Sequence, residues 1–200
     1  MGAEVDLVVP VKTLDRAKSR LVGLDRPALA LAFALDTVTA ALPAVRRVVV
    51  VTSDRAVAAE LRALGVESIA GPEGLNESLR FGWGVLRARD ASSVVGALQA
   101  DLPALRTAEL AAALAAATGR SFVPDRQGTG TTVLLSAPGG ALDPSFGAGS
   151  AAAHAASGAA ALIGPWPSLR HDVDTAEDLG SAAALGLGAR TAAVLAPVCG

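Results

Sequence analysis

Cysteine is nearly absent: Cys199 is the only one in the 200-residue chain. No internal disulfide can form, and no histidine is set beside it to make a thiol nucleophile. It reads as a free thiol near the chain end. Tyrosine is missing and aromatics make up 3% of the residues, which leaves few surfaces on which bases could stack. The net charge of −2 gives no general attraction to nucleic acid, so nucleic acid is not an expected partner. Long apolar runs are lacking too. The most apolar stretch, Ala28 to Val45, is broken by Asp36, Thr37, Thr39 and Pro43, whereas a spanning helix needs ~20 nearly uninterrupted apolar residues. Met1-Gly2-Ala3-Glu4-Val5-Asp6 carries two acids and no basic run, unlike a secretory leader. A cytoplasmic protein with no membrane partner is expected.

What is present is alanine. Hydrophobic residues reach 52%, and much of that share is this helix-favouring residue, which loses no side-chain entropy on burial. The length suits one domain spanning 1–200. Only two of the 17 basic residues are lysines, and both, Lys12 and Lys18, fall in one short segment with Arg16 and Arg20.

Apolar runs rich in valine and flanked by turn residues read as buried strands at Val5–Val11, Arg47–Thr52, Val66–Ala70 and Ser93–Gln99. Helices are expected between them. One follows Pro27, with Leu31, Leu35, Val38 and Leu42 on one face; one runs from near Asp54 to Gly65; one covers Leu75–Arg89, weakened by Gly82 and Gly84; and one opens at Thr107. Strands alternating with helices to about residue 120 predict an α/β fold with a mainly parallel, twisted sheet. Beyond that, Ser121–Asp125, Thr131–Ser136 and Leu169–Val173 are strand candidates. Ser150–Ser157 is a short helix, and Thr175-Ala176-Glu177-Asp178 resembles a capping box opening the final one.

In open α/β sheets ligands bind beyond the carboxyl ends of the strands. That selects the Lys12–Arg20 loop, Gly74-Leu75-Asn76, Asp101, and Asp172-Val173-Asp174. Side chains two apart on an extended chain share a face, so Asp172 and Asp174 project together. Like charges held that close favour a cation between them, and hard oxygen ligands without a cysteine–histidine set point to Mg²⁺, or Mn²⁺, rather than zinc. Asp101 could complete the set; singly, each acid is equally readable as a turn or helix-flanking residue. The Lys12–Arg20 loop places positive charge where a triphosphate would lie, although the same loop could be a solvated basic segment. It is neither a Walker loop nor a dinucleotide fingerprint. Gly128-Thr129-Gly130-Thr131-Thr132 and Gly147-Ala148-Gly149-Ser150 offer backbone amides and hydroxyls suited to oxyanions, or are ordinary turns. His154, a helical turn beyond Ser150, is expected to orient that loop and not to act as a catalyst. His171 should face away from Asp172.

Taken in order, these segments resemble the phosphoenolpyruvate/2-phospholactate guanylyltransferases of coenzyme F420 biosynthesis, from about Val8 to Thr191. The resemblance rests on Val9-Pro10-Val11-Lys12 with Ala17-Lys18-Ser19-Arg20-Leu21, on Gly74-Leu75-Asn76, and on Gln99-Ala100-Asp101-Leu102-Pro103. It continues in Pro124-Asp125-Arg126-Gln127-Gly128-Thr129-Gly130-Thr131-Thr132, in Phe146-Gly147-Ala148-Gly149-Ser150 with His154, and in Asp172-Val173-Asp174. It implies a single-domain nucleotidyltransferase fold. By resemblance, Asp101, Asp172 and Asp174 hold the metal, and Thr131, Gly147 and Ser150 contact the phosphorylated acid. Lys12, Arg16, Lys18, Arg20 and Asn76 face the nucleotide, with Lys12, Lys18 and Asp101 closest to the chemistry. The expected partners are GTP and a small phosphorylated carboxylic acid; a homodimer stays open.

Two rivals are kept. A transferase acting on 2-phospholactate, a sugar phosphate or molybdopterin would keep the fold and the acids. A non-enzymatic nucleotide-binding module would keep the sheet and the basic loop but have no need of three carboxylates at strand ends. The Leu-Ala-Gly-Gly loop of sugar-phosphate and molybdenum-cofactor enzymes is replaced here by Val9-Pro10-Val11-Lys12, which counts against those acceptors.

Overall fold

The structure, a computed structural model, describes residues 3–14 and 24–196. Arg16, Lys18, Arg20 and Cys199 lie outside the described residues. Strands β1 (Ala3–Pro10), β2 (Val45–Val51), β3 (Glu67–Ile69) and β4 (Val94–Leu98) alternate with helices α1 (Arg26–Ala41), α2 (Arg55–Ala63), α3 (Leu75–Arg89) and α4 (Thr107–Ala116). Then come β5 (Ser121–Pro124), β6 (Thr131–Leu135), α5 (Ser150–Ala156), β7 (Ala160–Ala161), α6 (Ala176–Leu185) and α7 (Ala189–Leu195). The strands form one seven-stranded sheet in the order β3-β2-β1-β4-β6-β5-β7. Only β6 runs against the rest, as the alternation of strands and helices leads one to expect of a mainly parallel sheet.

The valine runs make strands because both faces of the sheet are covered, so most positions are apolar; the buried Asp6 of β1 is paired with Arg46 and Arg47 of β2. Leu7, Val9, Val48 and Val50 face α1 and α4 and pack with Ala34, Leu35, Val38 and Leu110. Val8, Val49 and Val51 face the other way, onto Leu79 and Leu86 of α3. Among the described residues, helix α1 is the one apolar enough to suggest a membrane span. With the turn after it, Arg26–Ala44 passes that test by length and composition, but 61% of it is buried inside the domain. Its apolar residues are core residues.

Helix α3 depends on one of its glycines. A Cβ on Gly82 would lie 2.5 Å from Val8 Cγ1 and 2.9 Å from Val51 Cγ2, whereas one on Gly84 would meet nothing within 4 Å. Gly82 is therefore a point of close helix–sheet approach, and Gly84 carries only the helix cost of glycine. Gly82→Ala should destabilise the fold by about 1–3 kcal/mol through overpacking. Gly84→Ala should stabilise it by about 0.5–1 kcal/mol. Urea unfolding of the two variants checks this; a gain in both would mean that the helix need not approach so closely.

The second half departs from the sequence pattern in three places. Leu169–Val173 is not a strand: Leu169 and Arg170 lie in a turn, and Val173 N donates to Asp101 O, at 3.0 Å, beyond the end of β4. The capping box at Thr175 and Asp178 is present, yet α6 is not the last helix. Helix α7 follows, docked on α1 because the buried Asp36 carboxylate accepts from Arg190 N and Thr191 N at 3.2 and 2.8 Å. Third, β6 pairs with β5 regularly from Ser121↔Leu135 to Val123↔Val133 and then skips to Pro124↔Thr131. Thr132 is an extra residue on the β5 side, a bulge, while its carbonyl still accepts from Gln99 N at 3.0 Å on the β4 side.

Candidate active site

The carboxyl ends of β1, β2 and β4 and the start of α3 enclose two adjoining depressions. The first, of 270 Å³, is lined by Val11, Lys12, Thr52, Ser53, Glu73 and Ser78, among others. The second, of 180 Å³, is lined by Lys12, Leu14, Phe33, Gln99, Asp101 and Asp174, among others. Lys12, exposed at the end of β1, stands on the wall between them. The loop it begins is anchored at its start by Leu14 N donating to Asp54 Oδ2 at 3.1 Å, and Asp54 also caps α2.

Asp101 is fixed through its neighbours in the chain. The buried Thr37 hydroxyl of α1 accepts from Leu102 N at 3.1 Å and lies 3.3 Å from Ala100 O, so one side chain brackets the peptide units on both sides of Asp101. The bond between Val173 N and Asp101 O then lays the 172–174 segment alongside. Burial comes first in pushing the half-buried Asp172 carboxyl up to about 7, followed by the charge of Asp101 and, more weakly, those of Asp174 and Asp125. The structure thus brings the expected acids to one edge of the sheet. Among the described residues, however, no three histidine, cysteine or acidic side chains are gathered at the spacing of a closed metal site. What fits a hard cation is the donor chemistry: carboxylate oxygens with no nitrogen or sulfur, at an edge whose mutual repulsion a cation relieves.

The two glycine-bearing loops meet beside this edge. The Asp125 carboxylate accepts from Thr129 N and Gly130 N at 2.9 and 2.8 Å, shaping the turn between β5 and β6. Arg170 ties that hairpin to the acidic segment, donating to Pro124 O at 3.0 Å and Asp125 O at 2.8 Å. Ala151 N donates to Thr129 O and Ser150 N to Gly147 O, each at 3.1 Å. Gly147 and Gly149 take φ of 138° and 72°, which side chains resist. Thr131 and Ser150 are both buried at the inner side of this arrangement, and Gly147 is exposed at its rim.

Asn76 sits differently from its sequence reading. Its amide makes a paired contact with one backbone unit: Phe146 N donates to Oδ1 at 2.8 Å, and Nδ2 donates to Phe146 O at 3.0 Å. It therefore holds the 145–149 loop against α3. Thr37 and Arg170 were not singled out from sequence, and nothing in their local pattern marks them; they matter through partners 63 and 46 residues away.

With that geometry in place, likeness to known proteins can be weighed. Residues 5–197 match the model of a family described as guanylyl transferase CofC like. The phosphoenolpyruvate guanylyltransferase of Streptomyces coelicolor is 57% identical over 202 residues, covering 95% of each chain. That of Salinispora arenicola is 55% identical over 198 residues, covering 93% of this chain and 91% of its own. Among solved structures, 4-diphosphocytidyl-2C-methyl-D-erythritol synthase superposes with a TM-score of 0.61 at 17% identity, over 92% of this chain and 99% of that one. A nucleotidyl transferase from Methanothermobacter thermautotroptrophicus gives 0.57 at 16%, over 92% and 98%. At such identities the structural likeness speaks for the fold alone.

Proposed function

The chain belongs to the CofC-like guanylyl transferase family, and from that premise we propose that it joins GTP to phosphoenolpyruvate, giving enolpyruvyl-diphospho-guanosine and pyrophosphate, as a step of coenzyme F420 biosynthesis. The observation that carries this reading is the meeting of the acidic sheet edge with the Thr131 and Gly147–Ser150 loops, linked through Arg170 and Asp125. Such an arrangement suits two anionic substrates brought end to end. The relatives at 55% and 57% identity, both named for phosphoenolpyruvate, support the choice of acceptor.

In this reading the depression holding Thr52, Ser53 and Glu73 receives the nucleotide, with Lys12 beside its phosphates. Thr131, Ser150 and the Gly147 amide hold the phospho-acid. An oxygen of the acceptor phosphate attacks the α-phosphorus of GTP. The bond from that phosphorus to the bridging oxygen breaks, and pyrophosphate leaves with the electron pair. No enzyme nucleophile is needed, so the chain's work is alignment and charge compensation. Asp101, Asp172 and Asp174 would hold Mg²⁺ or Mn²⁺, which when bound offsets the repulsion between the substrates and stabilises the leaving group.

Pyrophosphate release from GTP with Mg²⁺ tests the assignment, with phosphoenolpyruvate, 2-phospholactate and mannose 1-phosphate supplied separately. Release should be fastest with phosphoenolpyruvate and absent with the sugar phosphate. Faster turnover with 2-phospholactate would move the assignment to that acid, and turnover with mannose 1-phosphate would overturn it.

A further inference from the structure

His154 joins two of the three segments assigned to the phospho-acid, and its hydrogen bonds fix which ring nitrogen carries the proton. Ser145 N lies 3.0 Å from Nε2, and a backbone N–H can only donate, so Nε2 is the nitrogen with the free lone pair. Nδ1 lies 2.9 Å from Thr131 Oγ1. The ring is fully buried, flanked by Phe122 and Phe146 with centroids 5.9 and 5.1 Å away. Burial, then the charge of Arg120, lowers its pKa to about 4, so the imidazole is neutral at physiological pH. A neutral ring whose Nε2 accepts must carry its proton on Nδ1. Nδ1–H therefore donates to Thr131 Oγ1, and Thr131 does not spend its own proton on the histidine.

We propose that His154 is a positioning residue for the acceptor. Its Nδ1–H occupies one lone pair of Thr131 Oγ1 and leaves that hydroxyl's proton for an oxygen of the phospho-acid, while its Nε2 pins the Ser145 amide and so the loop that carries Gly147. With the opposite tautomer the threonine would be the donor to the ring, with nothing to offer an anion. Asn76 holds the next amide of the same loop, at Phe146, from the α3 side. The loop is thus clamped at two successive residues by side chains from different helices. This inference rests on the reading that Thr131 faces the phospho-acid, but the tautomer can be tested without it.

Long-range ¹H–¹⁵N NMR of the histidine-labelled, substrate-free protein at pH 7 should show His154 Nε2 as an unprotonated imidazole nitrogen and Nδ1 as the protonated one. The reverse tautomer, or a doubly protonated ring, would overturn the proposal whatever the enzyme's substrate. His154→Phe, which keeps the packing between the two phenylalanines, should then raise the KM for phosphoenolpyruvate about tenfold, the worth of one hydrogen bond, and leave the KM for GTP unchanged. Because the Nδ1–H acts through Thr131, the loss in the His154→Phe/Thr131→Val pair should fall short of the sum of the two single losses. Losses that add in full, or that fall equally on GTP, would reduce His154 to a packing residue. Should His154→Phe fail to fold, the spectrum of the unaltered protein still decides the question.

Discussion

Asp172→Asn should lower turnover on the order of a hundred- to a thousandfold while leaving the fold intact. The amide has nearly the shape of the carboxylate but carries no charge and is a weak ligand for a hard cation. Metal assistance supplies several kcal/mol of transition-state stabilisation, and each 1.36 kcal/mol is tenfold in rate, which sets the size of the expected loss. The effect on stability should have the opposite sign. Asp172 is held among like charges, with Asp101 foremost and Asp174 and Asp125 behind it. In metal-free buffer near pH 8 the substitution removes repulsion, so the variant should melt at the same temperature as the unaltered protein or above it. Steady-state rates over a range of Mg²⁺ concentrations, with thermal melts in chelator, measure both. Near-normal turnover at limiting Mg²⁺ would remove Asp172 from the ligand set.

The second large effect separates the two substrates. Thr131→Val and Ser150→Ala each delete one hydroxyl from the buried inner side of the acceptor loops. Loss of a hydrogen bond to a charged group costs about 1.5–3 kcal/mol, or roughly ten- to a hundredfold in kcat/KM. The loss should appear when phosphoenolpyruvate is varied at saturating GTP, and the KM for GTP should barely move. Lys12→Ala should do the reverse, because Lys12 lines the depression proposed for the nucleotide, and neither depression it lines includes Thr131 or Gly147–Ser150. Equal losses towards both substrates in all three variants would mean that the pocket is divided wrongly between nucleotide and acid.

The parts of the fold legible in the sequence are those whose cause is local or periodic. The valine runs of β1, β2 and β4 announce themselves because a strand buried on both faces has no polar alternation to hide in. Asp54, Gly65 and the Thr175–Asp178 box mark helix ends by capping chemistry that acts within one turn. The strand-end rule likewise selected Asp101, just beyond β4, without any knowledge of distances, whereas it reached Asp172–Asp174 through a strand at Leu169–Val173 that the fold does not form. What stayed hidden depends on partners far along the chain. Leu169–Val173 has the composition of a strand but joins none in the sheet, where β5 takes β7 beside it. Helix α7 is held by Asp36, 154 residues before its first partner, Arg190, and no window of sequence contains both. By resemblance Asn76 faces the nucleotide, yet its amide is engaged by Phe146, 70 residues on. An asparagine's choice between ligand and backbone is settled by what folds over it.

The extra residue in β6 inverts the phase of the strand. Val133 and Leu135 lie on the α1/α4 side of the sheet with the larger core, and an unbroken two-residue rhythm would send Thr131 there with them. Because Thr132 is skipped against β5, Thr131 instead meets His154 on the face of Phe122 and Phe146. Regular pairing and the placement of Thr131 beside His154 are therefore alternatives in this strand. Pairing Thr132 regularly against Pro124 would straighten the ladder with β5 and turn Thr131 into the core. Anyone idealising this sheet for stability by flattening the bulge would be erasing the aim of that one side chain.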